Sequence, residues 1–147
     1  MTMVPKATLT VVTLGVADLA RSIRFYEALG FRRHMADAEG VAFFEAGGAA
    51  LALFPWDALA ADAAVPDQPR PQAFRGTTLA WNCNSPAEVD EVFAHALACG
   101  AAEMKKPQPT FYGGYCCYFA DPDGHLWEVV QAPGITVSDD GRVALPD

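Results

Sequence analysis

The sequence predicts an α+β fold built from two tandem βαβββ modules whose sheets curve around a shared cavity, and three observations carry this. A β-branched apolar run leads into an amphipathic helix and then into three short strand-like runs. The same order and approximate lengths return in the second half. At 147 residues the chain suffices for one substantial core and is too short for two ordinary domains, so the modules are expected to be halves of a single domain, 1–147.

In the first module, about 8–54, the run TLTVVTLGV at 8–16 alternates little and is rich in Val and Thr, as a largely buried strand requires. Asp18 then offers a helix N-cap, and Leu19, Ile23 and Tyr26 fall on one face of LARSIRFYEAL. Gly30 suits the left-handed residue just past a helix C-terminus. Three strands are expected at 31–35, 41–45 and 49–54, separated by AEG and GG turn signals.

Residues 55–75 form a proline-rich connector with one helical turn expected near Asp57 to Ala63. The second module, about 76–131, opens with a strand over 77–83. Ser85-Pro86-Ala87-Glu88 then has the form of a capping box, with proline at the first helical position and Glu88 reaching back. Val89, Val92, Phe93 and Ala96 continue the apolar stripe to Gly100. Strands follow at 101–105, 115–119 and 126–130, the last two joined by the turn Asp121-Pro122-Asp123-Gly124. In the tail, 132–147, a turn at Asp139-Asp140-Gly141 predicts a hairpin or a segment that packs on a partner subunit.

The composition, 52% hydrophobic and 19% charged, is that of a packed globular chain. A net charge of -8 argues against nucleic acid as a partner, because phosphate binding needs clustered cations and only Arg32-Arg33 and Lys105-Lys106 run together. Neither a signal-peptide pattern nor an apolar run of about 18 residues occurs, which predicts a cytoplasmic protein without a membrane partner. Cys83, Cys99, Cys116 and Cys117 show no CxxC spacing, so reduced and mostly buried thiols are expected.

The segments TLGVADLARSIRFYEALGF and FADPDGHLWEVV bracket nearly the whole chain, and together they resemble the vicinal oxygen chelate superfamily. That superfamily includes glyoxalase I, bleomycin-resistance proteins, extradiol dioxygenases and fosfomycin-resistance enzymes. The resemblance implies paired βαβββ modules curved around a cavity, frequently within a homodimer. In its metal-dependent members one residue from each of four strands, usually His, Glu or Gln, holds a divalent ion. Carried onto this sequence, those positions fall on Val11, Ala52, Thr78 and Glu128, so that one ligand of four is kept. The neighbourhoods agree whatever the register: 8–16 and 49–54 contain no His, Asp, Glu or Cys, and 76–84 contain only Cys83. A lone carboxylate holds a divalent ion weakly. No cofactor is therefore expected beyond a weakly held divalent metal at Glu128.

By the period of two along a strand, the cavity-facing set implied by the resemblance is Val11 and Thr13, Ala52 and Phe54, Thr78, Ala80 and Asn82, and Leu126, Glu128 and Val130, while Leu14, Val16, Leu79 and Trp81 face the helices. Glu128 is the candidate catalytic residue, a carboxylate on an apolar face that could accept a proton or bind a ligand; a relic carboxylate paired with a nearby donor is the plain alternative. Tyr112-Gly113-Gly114-Tyr115 reads as a glycine-rich turn or a lid, one of Cys116 and Cys117 should line the cavity, His125 at the turn is expected on the surface, and His34 and His95 fall on a strand and on a helix without visible partners. The expected function is binding of a small organic molecule by a dimeric, metal-independent relative of the glyoxalase and bleomycin-resistance type. Two rivals stand beside it: a metal-dependent lyase or dioxygenase with ligands from a dimer partner or His125, and a structural or regulatory subunit whose cavity is filled by its own side chains.

Overall fold

A computed structural model describes residues 3–66 and 71–147. The connector is therefore described on either side of 67–70, which lie outside the described residues. The first module contains β1 (Val11–Val16), α1 (Leu19–Leu29), β2 (Arg32–His34), β3 (Ala42–Ala46) and β4 (Ala49–Pro55), and α2 (Trp56–Asp62) follows directly. The second contains β5 (Thr78–Asn82), α3 (Pro86–Ala98), β6 (Ala102–Pro109), β7 (Tyr115–Ala120) and β8 (Leu126–Gln131), and the tail adds β9 (Thr136–Val137) and β10 (Val143–Ala144). The repeat expected from the pattern is present in full. Each module forms its own four-stranded sheet, in the order β1-β4-β3-β2 and β5-β8-β7-β6.

Within each sheet the first strand pairs in parallel with the last, and the last two strands form an antiparallel hairpin. β6 runs to Pro109, well beyond the expected end at 105, because two register shifts against β7 absorb the irregular stretch between Glu103 and Gln108. β1 begins only at Val11, since residues 8–10 are exposed and join β4 through one bond alone, the Ala50 N–H donating to the Thr10 carbonyl at 2.8 Å.

The caps form as their chemistry demands. The Asp18 side chain accepts from the Arg21 N–H at 3.0 Å, and Gly30 takes φ 118° beyond α1, a conformation that costs little without a Cβ. Ser85 accepts from the Glu88 N–H at 3.2 Å, whereas the Glu88 carboxylate reaches one residue further back than expected, to the N–H of Asn84 at 3.1 Å.

One core joins the modules. Leu14, Val16, Phe44, Leu51 and Leu53 from the first sheet and Cys117, Phe119, Trp127 and Val129 from the second share a single cluster with Phe25, Tyr26 and Leu29 of α1 and Val89, Phe93 and Ala96 of α3. Tyr26 is the bridge: its ring lies 6.1 Å from Phe44 on one side and 6.1 Å from Trp127 on the other.

The β7–β8 turn adds a polar clasp between the modules. Asp123 accepts from the Ala17 N–H at 2.9 Å, from Arg21 at 3.2 Å and from the Ser22 hydroxyl at 3.2 Å, all at the start of α1. Asp121 accepts from the Tyr26 hydroxyl at 2.6 Å, and that hydroxyl in turn accepts from the Trp127 indole N–H at 3.1 Å. Both carboxylates are buried, and Asp121 also accepts from the N–H groups of Asp123 and His125. The Asp121–Gly124 turn thus fastens α1 to the second sheet.

The tail forms the expected hairpin and straps the opposite end. The Asn84 side chain donates to the Val137 carbonyl at 2.8 Å and accepts from its N–H at 2.9 Å, pinning β9 to the end of β5. The hairpin turn lies on the β3–β4 turn, where a Cβ on Gly47 would sit 2.3 Å from the Gly141 carbonyl oxygen. Only glycine allows that approach.

Tyr26→Phe should reduce stability by about 1 to 3 kcal/mol, because the buried Asp121 oxygen and the Trp127 indole both lose their partner. Urea denaturation with an unchanged m-value measures this. A loss below about 0.5 kcal/mol would show that the hydroxyl does not hold the clasp together.

Candidate functional site

The second sheet's outer face is set by two registers. β7 and β8 pair symmetrically about the turn, Ala120 with Leu126 and so on outward, which puts Tyr118 opposite Glu128 and Cys116 opposite Val130. Parallel pairing with β5 puts Ala80 beside Glu128, Thr78 beside Leu126 and Asn82 beside Val130. The resulting face alternates with the buried one carrying Cys117, Phe119, Trp127 and Val129.

Glu128 is half-buried on this face, and the Tyr118 hydroxyl donates to its Oε2 at 2.8 Å. Among the described residues no donor reaches Oε1, which is left to accept from a ligand. Burial first, and then the hydrogen bond to Glu128 and its charge, push the Tyr118 phenol well above the ordinary tyrosine value. The Cys116 thiol is pushed up by burial and by Glu128, against an opposing pull from Lys105. Tyr112 also lies in this field: burial raises it, a hydrogen bond from Thr110 lowers it, and Cys116 and Glu128 add to the rise. These four side chains form one electrostatic patch. It can anchor a hydrogen-bond donor or a cation at Glu128 beside apolar surface, and it keeps its thiol and phenols protonated at neutral pH.

The other expected binding residues divide between the two sheets. Val11, Thr13, Ala52 and Phe54 share a face of the first sheet, with Thr13 beside Ala52 and Val11 beside Ala50. Thr78, Asn82, Leu126 and Val130 share the face of Glu128. Val11 at 44%, Thr13 and Thr78 are exposed, Phe54, Asn82 and Leu126 are half-buried, and Ala52 and Val130 are covered, at 2% and 4%. Neither of two large recesses is lined by Glu128; Leu126 lines one and Asn82 the other.

A chelated metal does not fit the four expected ligand positions. Val11 and Ala52 carry no donor, Thr78 offers a neutral hydroxyl, and one oxygen of Glu128 is already taken by Tyr118. Among the described residues no three of His, Cys, Asp and Glu come together in a group that could hold an ion.

His125 is half-buried rather than on the surface. Its Nε2 meets the Gly15 carbonyl at 2.7 Å and its Nδ1 meets the Arg75 guanidinium at 3.0 Å, while Trp56 stacks on its ring at 6.3 Å and Arg75 lies 5.3 Å above Trp56. With both nitrogens engaged, His125 has no lone pair to offer an ion. His34 faces Glu45 at 3.5 Å and His95 meets the Ala28 carbonyl at 2.9 Å, so each has a partner that lies far from Glu128 in the sheet order or on a helix. The glycine-rich loop is closed as a turn, with Gly114 N–H donating to the Thr110 hydroxyl at 2.8 Å.

Tyr118 is a candidate site residue that the strand pattern alone does not single out. Counting outward from the Asp121–Gly124 turn pairs it with Glu128 directly, so the signal was present in the hairpin.

The family model for the Glyoxalase/Bleomycin resistance protein/Dioxygenase superfamily matches residues 8–129. The chain belongs to this superfamily. A glyoxalase-related enzyme from Fulvimarina pelagi is 30% identical, with a TM-score of 0.84 over 95% of this chain and 99% of that one. A glyoxalase/bleomycin resistance protein/dioxygenase from Nocardioides is 28% identical, with a TM-score of 0.75 over 90% of this chain and 88% of that one. A lactoylglutathione lyase from Agrobacterium tumefaciens is 26% identical, with a TM-score of 0.64 over 86% of this chain and 95% of that one. No curated protein matches. The superfamily's fold is thus the one expected, and among the described residues no helix is long and apolar enough to cross a membrane.

Two outcomes follow from the protonation pattern. In Glu128→Gln, alkaline titration of phenolate absorbance should show Tyr118 ionising at lower pH than before yet still above the ordinary value, since its burial persists, with a smaller fall at Tyr112. An unchanged curve would sink the pairing. All four tyrosines hold their protons more tightly folded than unfolded. Their contribution to stability is therefore complete below about pH 10, the ordinary tyrosine value, and is lost as pH rises through the raised folded values.

Proposed function

We propose that the chain binds a small organic molecule on the β5–β8–β7 face without a catalytic metal, Glu128 accepting a hydrogen bond from the ligand while Tyr118 holds the carboxylate in place. The observation that carries this is the Tyr118–Glu128 pair itself: a half-buried carboxylate with one oxygen satisfied and one open, on a face whose other β5, β7 and β8 groups are apolar or neutral, with Lys105 of β6 paired to Tyr118 at its edge. Such a balance suits a ligand held by shape with one polar anchor. The donor-poor positions Val11, Ala52 and Thr78 support metal independence.

A homodimer fits this reading. Val11, Thr13, Thr78 and Ala80 are exposed on the first strands of the two sheets, and a second subunit seated there would turn an open face into a pocket. The four free thiols suit a reducing, cytoplasmic environment. The lactoylglutathione lyase from Agrobacterium tumefaciens favours a second reading, an enzyme of the lyase type; with His125 engaged, metal ligands for it would have to come from the second subunit.

Metal analysis and thermal denaturation separate the two. Protein purified without chelator should carry far less than one nickel, zinc, manganese or iron per chain. Adding each metal chloride should leave Tm unchanged in the native protein and in Glu128→Ala alike. Near-stoichiometric metal that disappears in Glu128→Ala would overturn the metal-independent reading in favour of the lyase.

A further inference from the structure

A second recess, of about 760 Å³ and not lined by Glu128, lies between the first strands of the two sheets and beneath the C-terminal hairpin. That volume falls within the range of small-molecule sites. Its inner wall is aromatic. Phe31 stands between Trp81 and Trp127, with ring centroids 5.6 Å from each. The lining also includes Ala46 to Ala50, with Gly47 and Gly48 at its centre, a stretch of small residues that leaves the recess unfilled.

The charge at its rim is opposite to that of the chain. Against a net -8 overall, the lining contains Arg32 and Arg142 and a single acid, Glu45. Glu45 is divided between Arg32 at 3.9 Å and His34 at 3.5 Å. Arg142 meets Asp140 through Nε at 3.3 Å, while its Nη1 extends over Gly48, where a Cβ would lie 3.8 Å from it. Nη1 thus lies at the rim beside Gly48, and a guanidinium can take a carboxylate with two parallel hydrogen bonds.

We propose that this recess is a second binding site, independent of Glu128, for a planar aromatic molecule bearing one carboxylate. The ring lies against Trp81 and Phe31, where offset or edge-on contact is favourable, and the carboxylate meets Arg142. The C-terminal hairpin, held at Asn84 and at Gly47, supplies both the roof and the charge.

Calorimetric titration with 2-naphthoate, and with neutral 2-naphthamide as its uncharged counterpart, tests this while tryptophan emission reports ring contact. The expected result is saturable, one-to-one binding of 2-naphthoate with quenched emission. Arg142→Ala, an exposed position, should weaken 2-naphthoate about tenfold and leave 2-naphthamide within about twofold. Gly48→Phe, which fills the recess from a turn with ordinary backbone angles, should abolish both; its thermal denaturation, matched to that of the native chain, confirms that the fold is intact. Absence of saturation below about 1 mM, equal affinity for acid and amide, or loss of binding in Glu128→Gln but not in Gly48→Phe would each overturn the proposal.

Discussion

Two modules cut from one pattern have no covalent reason to hold a fixed angle to each other, and in this chain the angle is imposed by two buried carboxylates. Asp121 and Asp123 lie on the turn of the second module, and their carboxylates accept from Ala17 just past β1 and from Arg21, Ser22 and Tyr26 of α1, while Arg75 of the connector donates to the Asp123 carbonyl. A buried carboxylate is stable only when its oxygens are fully bonded, so any rotation of α1 that breaks one of these contacts carries a desolvation penalty on top of the lost bond. The interaction is therefore directional in a way the shared apolar core is not. Tyr26 connects the two kinds of force, with its ring in the core and its hydroxyl in the clasp. Glu128 stands five residues beyond Asp123 on the strand that the clasp anchors, so the orientation of the candidate site depends on the same pair of acids.

The elements whose signals are local were legible in the sequence. Asp18, Gly30 and the Ser85 capping box mark helix ends through contacts three or four residues long, and strand alternation assigned Leu14, Val16, Leu79 and Trp81 to the core side correctly. The clasp was not legible, because Asp123 and Ala17 are 106 residues apart and nothing in either segment points to the other. Asp-Pro-Asp-Gly satisfies the chemistry of an ordinary exposed turn, and the same residues serve equally well as buried acceptors once a helix N-terminus is brought over them. His125 was misjudged for the same reason, its partners Gly15 and Arg75 being distant in sequence.

Strand parity likewise assigned a face to each candidate site residue without deciding how much of it a ligand could touch. Ala52 and Val130 share their faces with exposed Thr13 and half-buried Asn82, yet are themselves almost completely covered. Exposure on a sheet is decided by what crosses over it, which is a matter of loops and neighbouring side chains and not of period. The pairing of Tyr118 with Glu128 lay between these cases: it is long-range in space but local through a hairpin, and the turn that joins the two strands makes it countable.

The strap made by β9 and β10 affects the order in which the molecule can be completed. Both modules, the core that joins them and the Asp121–Asp123 clasp are made of residues that precede Thr136. The pair of modules can therefore close at the clasped end before the hairpin docks at the other, between Gly47 and Asn84, where Phe31 and Trp81 line the recess beneath it. Arrival of the hairpin covers that aromatic surface last. Shielding of a sticky intermediate is thus left to a segment of two short strands, held by two hydrogen bonds at Asn84 and by a backbone contact that tolerates no side chain.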